Sequence, residues 1–100
     1  MNMYNKSDKQ RLYWLIDEYL LNRINEPVFC NEFHDSFVNE INIEIFTELE
    51  YSVFSELSAV SQRFSEYEED HKLWKGFTSA DDLRQKIIET KEKLQKQSPI

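Results

Sequence analysis

The side chains most often found in catalytic and metal sites are here one cysteine, Cys30, two histidines, His34 and His71, and 19 carboxylates. A single cysteine excludes an intramolecular disulfide framework and a multi-cysteine zinc site. No histidine or carboxylate pair is spaced to activate Cys30, so it is expected to fill core space as a small hydrophobe. His34 lies one position from an apolar stripe and is expected at the surface. His71 follows Glu69 and Asp70, and an exposed histidine with no more than adventitious metal affinity is expected there. A di-iron carboxylate bundle needs Glu-x-x-His on each of two helices, and the sequence does not offer that pair. His-Glu-x-x-His is absent too, and one glycine cannot build a phosphate loop. Glu44 and Glu48 share a helical face, but acid–base work needs one of them buried to raise its pKa. On an outer face both stay ionised. The expectation is no enzyme, no cofactor and no metal.

What remains is a distribution of charge. The chain carries 19 acids and 12 bases, net −7. Residues 1–25 hold three acids and four bases (+1), residues 26–70 twelve acids and one base, Arg63 (−11), and residues 71–100 four acids and seven bases (+3). The acidic excess therefore sits wholly in the middle. A solvated face usually mixes signs, because like charges repel and opposite ones support a helix at i,i+4. The sign opposes direct binding to nucleic acid phosphates and to anionic membranes, and favours a basic protein partner. The expected binding surface is Glu44, Glu48 and Tyr51, with Glu66, Tyr67, Glu68, Glu69, Asp70 and Trp74 from the stretch that follows. Carboxylates steer a basic partner and aromatic side chains anchor it. The competing structural role for Tyr67 and Trp74 is to lid the core. Trp14 and Leu21 either pack under the tails or form a second contact patch.

The elements that must carry these residues follow from periodicity. One hundred residues with 40% apolar and 14% aromatic side chains make one domain, 1–100, with one modest core. One glycine and two prolines leave too few turn residues for an all-β fold. Four helices are expected, over about residues 8–24, 27–39, 43–64 and 79–96. The first has an apolar face of Leu12, Leu15, Ile16, Tyr19, Leu20 and Ile24, with Trp14, Glu18 and Leu21 opposite, and a capping box from Ser7 to Gln10. Phe29, Cys30, Phe33 and Phe37 stripe the second. Phe46, Leu49, Val53, Leu57, Val60 and Phe64 align on the third; Glu44, Glu48, Tyr51, Ser55, Ser58 and Gln62 face away and Glu50 and Glu56 flank. Leu83, Ile87 and Leu94, with Ile88 beside them, stripe the fourth, which opens on a Ser79–Asp82 cap. A long loop, about 65–78, joins the last two. The expected architecture is an all-α, small antiparallel four-helix bundle. No apolar run reaches the length of a membrane span and no leader is evident, so a cytoplasmic protein is expected.

The stretch Ser61-Gln62-Arg63-Phe64-Ser65-Glu66-Tyr67-Glu68-Glu69-Asp70, then Gly76-Phe77-Thr78-Ser79 and the helix Leu83…Ile87…Leu94, resembles the bacterial self-protective colicin-like immunity proteins, whose type is the immunity protein of colicin D. The first helix ending near Ile24-Asn25 and the Phe-rich second helix with Glu32-Phe33 are similar too. The family includes proteins protecting cells against contact-dependent growth-inhibition toxins. The chain departs from the pattern at Ser65-Glu66, where Ser-Pro is frequent, and at Gln62, where the type member has an acid. The resemblance implies a four-helix bundle without catalysis, bound one-to-one to a cognate nuclease toxin domain, a tRNase in the colicin D type. It implies that Glu68, Glu69 and Asp70 belong to the acidic surface that replaces tRNA phosphates. The alternative class is a small acidic helical adaptor, or a module that homodimerises through Trp14 and Leu21.

Overall fold

The structure is a computed structural model and describes residues 4–65, 67, 72–73 and 76–96. It is an all-α four-helix bundle, and local chemistry fixes where each helix starts and stops. Helix α1 spans Gln10–Leu20. The expected Ser7–Gln10 box does not form: the Asp8 carboxylate accepts the Gln10 amide at 2.9 Å, and the N-cap position, Lys9, makes no side-chain cap. Asn22 ends α1 short of Ile24. Its φ of 63° is the left-handed turn that closes a helix, and the Arg23 amide bonds the Glu18 carbonyl while the Asn22 amide bonds that of Tyr19, a Schellman motif.

Helix α2 spans Glu26–His34 and is capped by Asn25, whose side chain accepts from the Val28 amide at 3.1 Å. Pro27 sits in the first turn, where a missing amide hydrogen costs nothing. The helical run continues to residue 40, but Asp35–Glu40 is wound as a π-helix, with the Ile41 amide bonded five residues back to Ser36. A 3-10 turn, Ile43–Ile45, follows, capped by Asn42.

Helix α3 spans Glu48–Gln62 and starts five residues later than the apolar spacing predicts. Thr47 and Glu50 form a reciprocal capping box at 3.0 and 2.9 Å, which sets the start after the extended Phe46. Helix α4 spans Ala80–Lys96, and the Ser79 hydroxyl accepts the Asp82 amide as expected. The long connection is pinned at its base. Phe64 and Thr78 form an isolated parallel bridge, and the Thr78 hydroxyl donates to the Val60 carbonyl at 2.9 Å.

Each helix packs against two others, α1 and α3 both lying between α2 and α4. The Tyr19 hydroxyl reaches Glu26 while Arg11 reaches Ser36, so α1 and α2 run in opposite directions. Asp17 meets Lys91, and Tyr13 shares a cleft with Leu94, so α4 also opposes α1. The core holds Leu12, Leu15, Ile16 and Tyr19 of α1, Phe29 and Phe33 of α2, then Phe37 and Ile41, Val53, Phe54 and Leu57 of α3, and Leu83, Ile87 and Leu94 of α4. Stacked rings run along α2 through Phe29, Phe33 and Phe37, and Phe54 meets Phe33, Phe37, Phe46 and Tyr13.

Three faces differ from expectation. On α3 the buried set is Glu50, Val53, Phe54, Leu57, Ser58 and Ser61. That face is rotated by roughly 60°, at 100° per residue, from the direction the apolar spacing gives. Ser58, expected outside, is buried, and Leu49, expected inside, is exposed. The late start explains this. Phe46 reaches the aromatic cluster from the extended segment before the helix, so the helix need not turn that spacing inward. On α1, Glu18 is buried although it was expected on the outer face, and Arg11 is buried as well. Cys30 is half-buried and Ile24 packs at the core's edge, outside the helix.

Candidate functional site

The first question is which carboxylates the fold itself uses. Cations of the two chain ends reach into the acidic middle: Lys6 pairs with Asp35, Lys9 with Glu50, Arg11 with Glu32, and Lys86 and Lys93 with Glu56. Glu26 accepts from the Tyr19 hydroxyl. Burial, with the Glu26 contact behind it, pushes that hydroxyl's pKa up to about 12. Much of the charge segregation along the chain is therefore internal complementarity between helices.

Two of these contacts have one partner buried, Glu50 and Arg11, and organise one end of the bundle. Glu50 accepts from the Tyr13 hydroxyl, the Lys9 ammonium at 2.9 Å and the Thr47 amide at 2.9 Å. Burial pushes its carboxyl pKa up, but those donors outweigh it and the net direction is down. Lys9 also donates to the Ile45 carbonyl at 3.0 Å, tying the 3-10 turn to the start of α1. Arg11, fully buried, donates to the Ser36 hydroxyl at 2.8 Å and to Glu32, and lies 5.8 Å from the Trp14 ring centre. It fastens the π-helix to α1.

The carboxylates left over in the described middle of the chain are Glu40, Glu44 and Glu48. No lysine, arginine or histidine among the described residues lies within ion-pair distance of them. All three are exposed, and they occupy the end of the bundle formed by the π-helix, the 3-10 turn and the first turn of α3. Val38, Ile43, Ile45 and Tyr51 are exposed there too. Phe37 supports Tyr51 with ring centres 6.4 Å apart, and Phe46 lies under the same end, 5.6 Å from Phe37. Leu49, also exposed, projects from the opposite flank of α3, on the side where Glu56 meets α4.

The expected surface is thus divided. Glu44, Glu48 and Tyr51 lie on consecutive segments, the 3-10 turn and the start of α3, next to the segment that carries Glu40 and Val38; these two, with Ile43 and Ile45, sequence reasoning missed as site residues. The two isoleucines were hidden because the spacing placed that stretch inside a regular helix. Tyr67 is exposed but belongs to the other end of α3, where its amide donates to the Ser65 hydroxyl. Fifteen helical residues, roughly 22 Å, separate the two ends. Glu66, Glu68, Glu69, Asp70 and Trp74 lie outside the described residues, as does His71. Trp14 is half-buried against the core beneath Arg11, whereas Leu21 is exposed beyond the end of α1.

Of the cysteine and histidine side chains, the described ones are Cys30 and His34. Cys30 and exposed His34 border a cleft of about 460 Å³ between α2 and the end of α3. Burial, and then the charge of Glu26, push the Cys30 thiol up to about 12, the wrong direction for a nucleophile. Among the described residues no group of three or more His, Cys, Asp or Glu is placed to hold a metal ion, and no helix is long and apolar enough to cross a membrane. Comparison with models of protein families, with curated proteins and with solved structures gives no match.

Proposed function

We propose that this chain is an immunity protein of the colicin-like type, which binds a basic nuclease toxin domain and blocks its active site without catalysis. The observation that carries the reading is the set Glu40, Glu44 and Glu48, carboxylates that no described cation pairs, in a bundle whose other mid-chain acids are largely used internally. A nuclease must be basic where it holds phosphates, and an acidic inhibitor meets that surface with complementary charge. The motif resemblance around Arg63-Phe64 supplies the class, with a tRNase as the substrate type it points to.

The test is co-expression. The C-terminal domain encoded immediately upstream is produced with and without this chain, and growth is scored. Arrest relieved by the chain establishes immunity, and RNA gels of arrested cells identify the target. A harmless domain, or toxicity that the chain does not relieve, removes the cognate pair and leaves an acidic adaptor as the reading. With the purified pair, the association rate should fall steeply with salt, and Glu44→Lys combined with Glu48→Lys should slow it by roughly tenfold or more at low salt. Association that salt leaves unchanged counts against electrostatic steering.

A further inference from the structure

We propose that the π-helix, 3-10 turn and α3 start form a docking surface for a cationic amphipathic protein segment, with Ile43 and Ile45 as apolar anchors and Glu40, Glu44 and Glu48 as the charged rim. The inference deepens the proposed function and rests on it for the identification of the partner as a toxin. The chemistry of the surface is argued from the residues themselves.

Ile43 is 54% exposed, Ile45 45%, Val38 49% and Tyr51 46%. Single exposed apolar side chains are ordinary, but three aliphatics and a tyrosine on consecutive segments at one end of a small bundle are a concentration of apolar surface. Their backbone is irregular and nevertheless held. Arg11 bonds the π-helix through Ser36, Lys9 bonds the 3-10 turn through the Ile45 carbonyl, and the Thr47–Glu50 box fixes the helix start. A surface held this way loses little conformational entropy on docking. A π-helix is rare, and its single-turn form recurs at functional sites.

Charge selects the occupant. A second copy in a two-fold dimer would set Glu40, Glu44 and Glu48 against their own equivalents across an apolar contact, an arrangement of like charges with no described cation to relieve it. A nucleic acid is repelled for the same reason. A protein segment that carries aliphatic side chains between lysines or arginines satisfies both components, filling the apolar centre while its cations meet the rim.

The test needs no knowledge of the natural partner. The full chain is titrated, by two-dimensional amide NMR, with a helical peptide carrying leucines at i, i+3, i+4 and i+7 and lysines elsewhere and, separately, with its leucine–glutamate counterpart. Saturable shifts confined to residues 38–51 with the cationic peptide, absent with the anionic one, are expected. Ile43→Ser with Ile45→Ser should weaken the cationic peptide by about tenfold while leaving the rest of the spectrum folded. Glu44→Lys should weaken it separately. Shifts centred elsewhere, non-saturable shifts, or equal binding of the anionic peptide overturn the proposal. Concentration-dependent dimerisation in sedimentation that the isoleucine variant abolishes overturns it in favour of a second copy. In the co-expression assay, relief of toxicity that survives both variants overturns this surface while immunity stands. No relief by the wild type, with the peptide mapping intact, removes the toxin reading and leaves the surface.

Discussion

At the residue scale, Glu50 joins more of the molecule than any other carboxylate described. Its donors come from α1, from the residue before α1 and from its own helix cap. Replacement by glutamine keeps the shape and removes the charge, and should cost about 2 kcal/mol at neutral pH, as for a hydrogen bond to a charged group. Because the folded carboxyl titrates below its ordinary 4.5, this stabilisation is complete above the unfolded-state value and fades as pH falls through the folded one. The gap between wild type and Glu50→Gln should therefore narrow below about pH 4, measured by urea unfolding across pH. Cys30 makes the opposite statement: with its thiol pushed up to about 12, iodoacetamide at neutral pH should label it at least tenfold more slowly than a free thiol, roughly, until the chain is unfolded. Thr47-x-x-Glu50 has the form of a capping box, but the apolar spacing drew the expected helix start to Ile43 instead. The burial of Arg11 was not legible, since its partners Ser36 and Glu32 are 25 and 21 positions away.

At the scale of elements, periodicity located all four helices and the bounds of α4, but missed both ends of α1 and the start of α3, where single side chains decide. Asn22 alone closes α1 in a left-handed turn. Asn22→Gly should be neutral or mildly stabilising and Asn22→Val should cost about 1–2 kcal/mol, both read from denaturant midpoints. On α3 the error was one of phase. An apolar period that includes Phe46 and Leu49 is turned by roughly 60° from the face that the tertiary structure buries, sharing only Val53 and Leu57 with it. Phe54, which that period omits, is fully buried and touches four other rings. Phe54→Ala should cost about 3–5 kcal/mol and Leu49→Ala under about 1 kcal/mol, a contrast that inverts the sequence expectation. The apolar core positions of α4, Leu83, Ile87 and Leu94, were legible because they lie inside uninterrupted helix, as were Leu12, Leu15, Ile16 and Tyr19 of α1.

For the whole molecule, the bundle class followed from composition and period, while the site did not. An acid used by the fold and an acid left for a partner look alike in a sequence. Only the placement of Lys6, Lys9, Arg11, Lys86 and Lys93 against the middle separates them. The same blindness made Glu44 and Tyr67 look like parts of one surface, although a full helix length divides them.

The pairing of the middle with the last helix also sets an order of events during synthesis. After residue 70 the growing polypeptide carries +1 and −11, a net −10, and Lys86 and Lys93 have yet to be made. Until then Glu56 lacks its counter-cations, and the apolar sides of α1 and α3 lack Leu83, Ile87 and Leu94. A chain cut after residue 70 should therefore be digested by a protease faster than the full sequence, because its acidic middle and apolar seam lack their α4 partners. Residues of α4 thus supply both the cations that Glu56 meets and the apolar side chains that close the seam between α1 and α3.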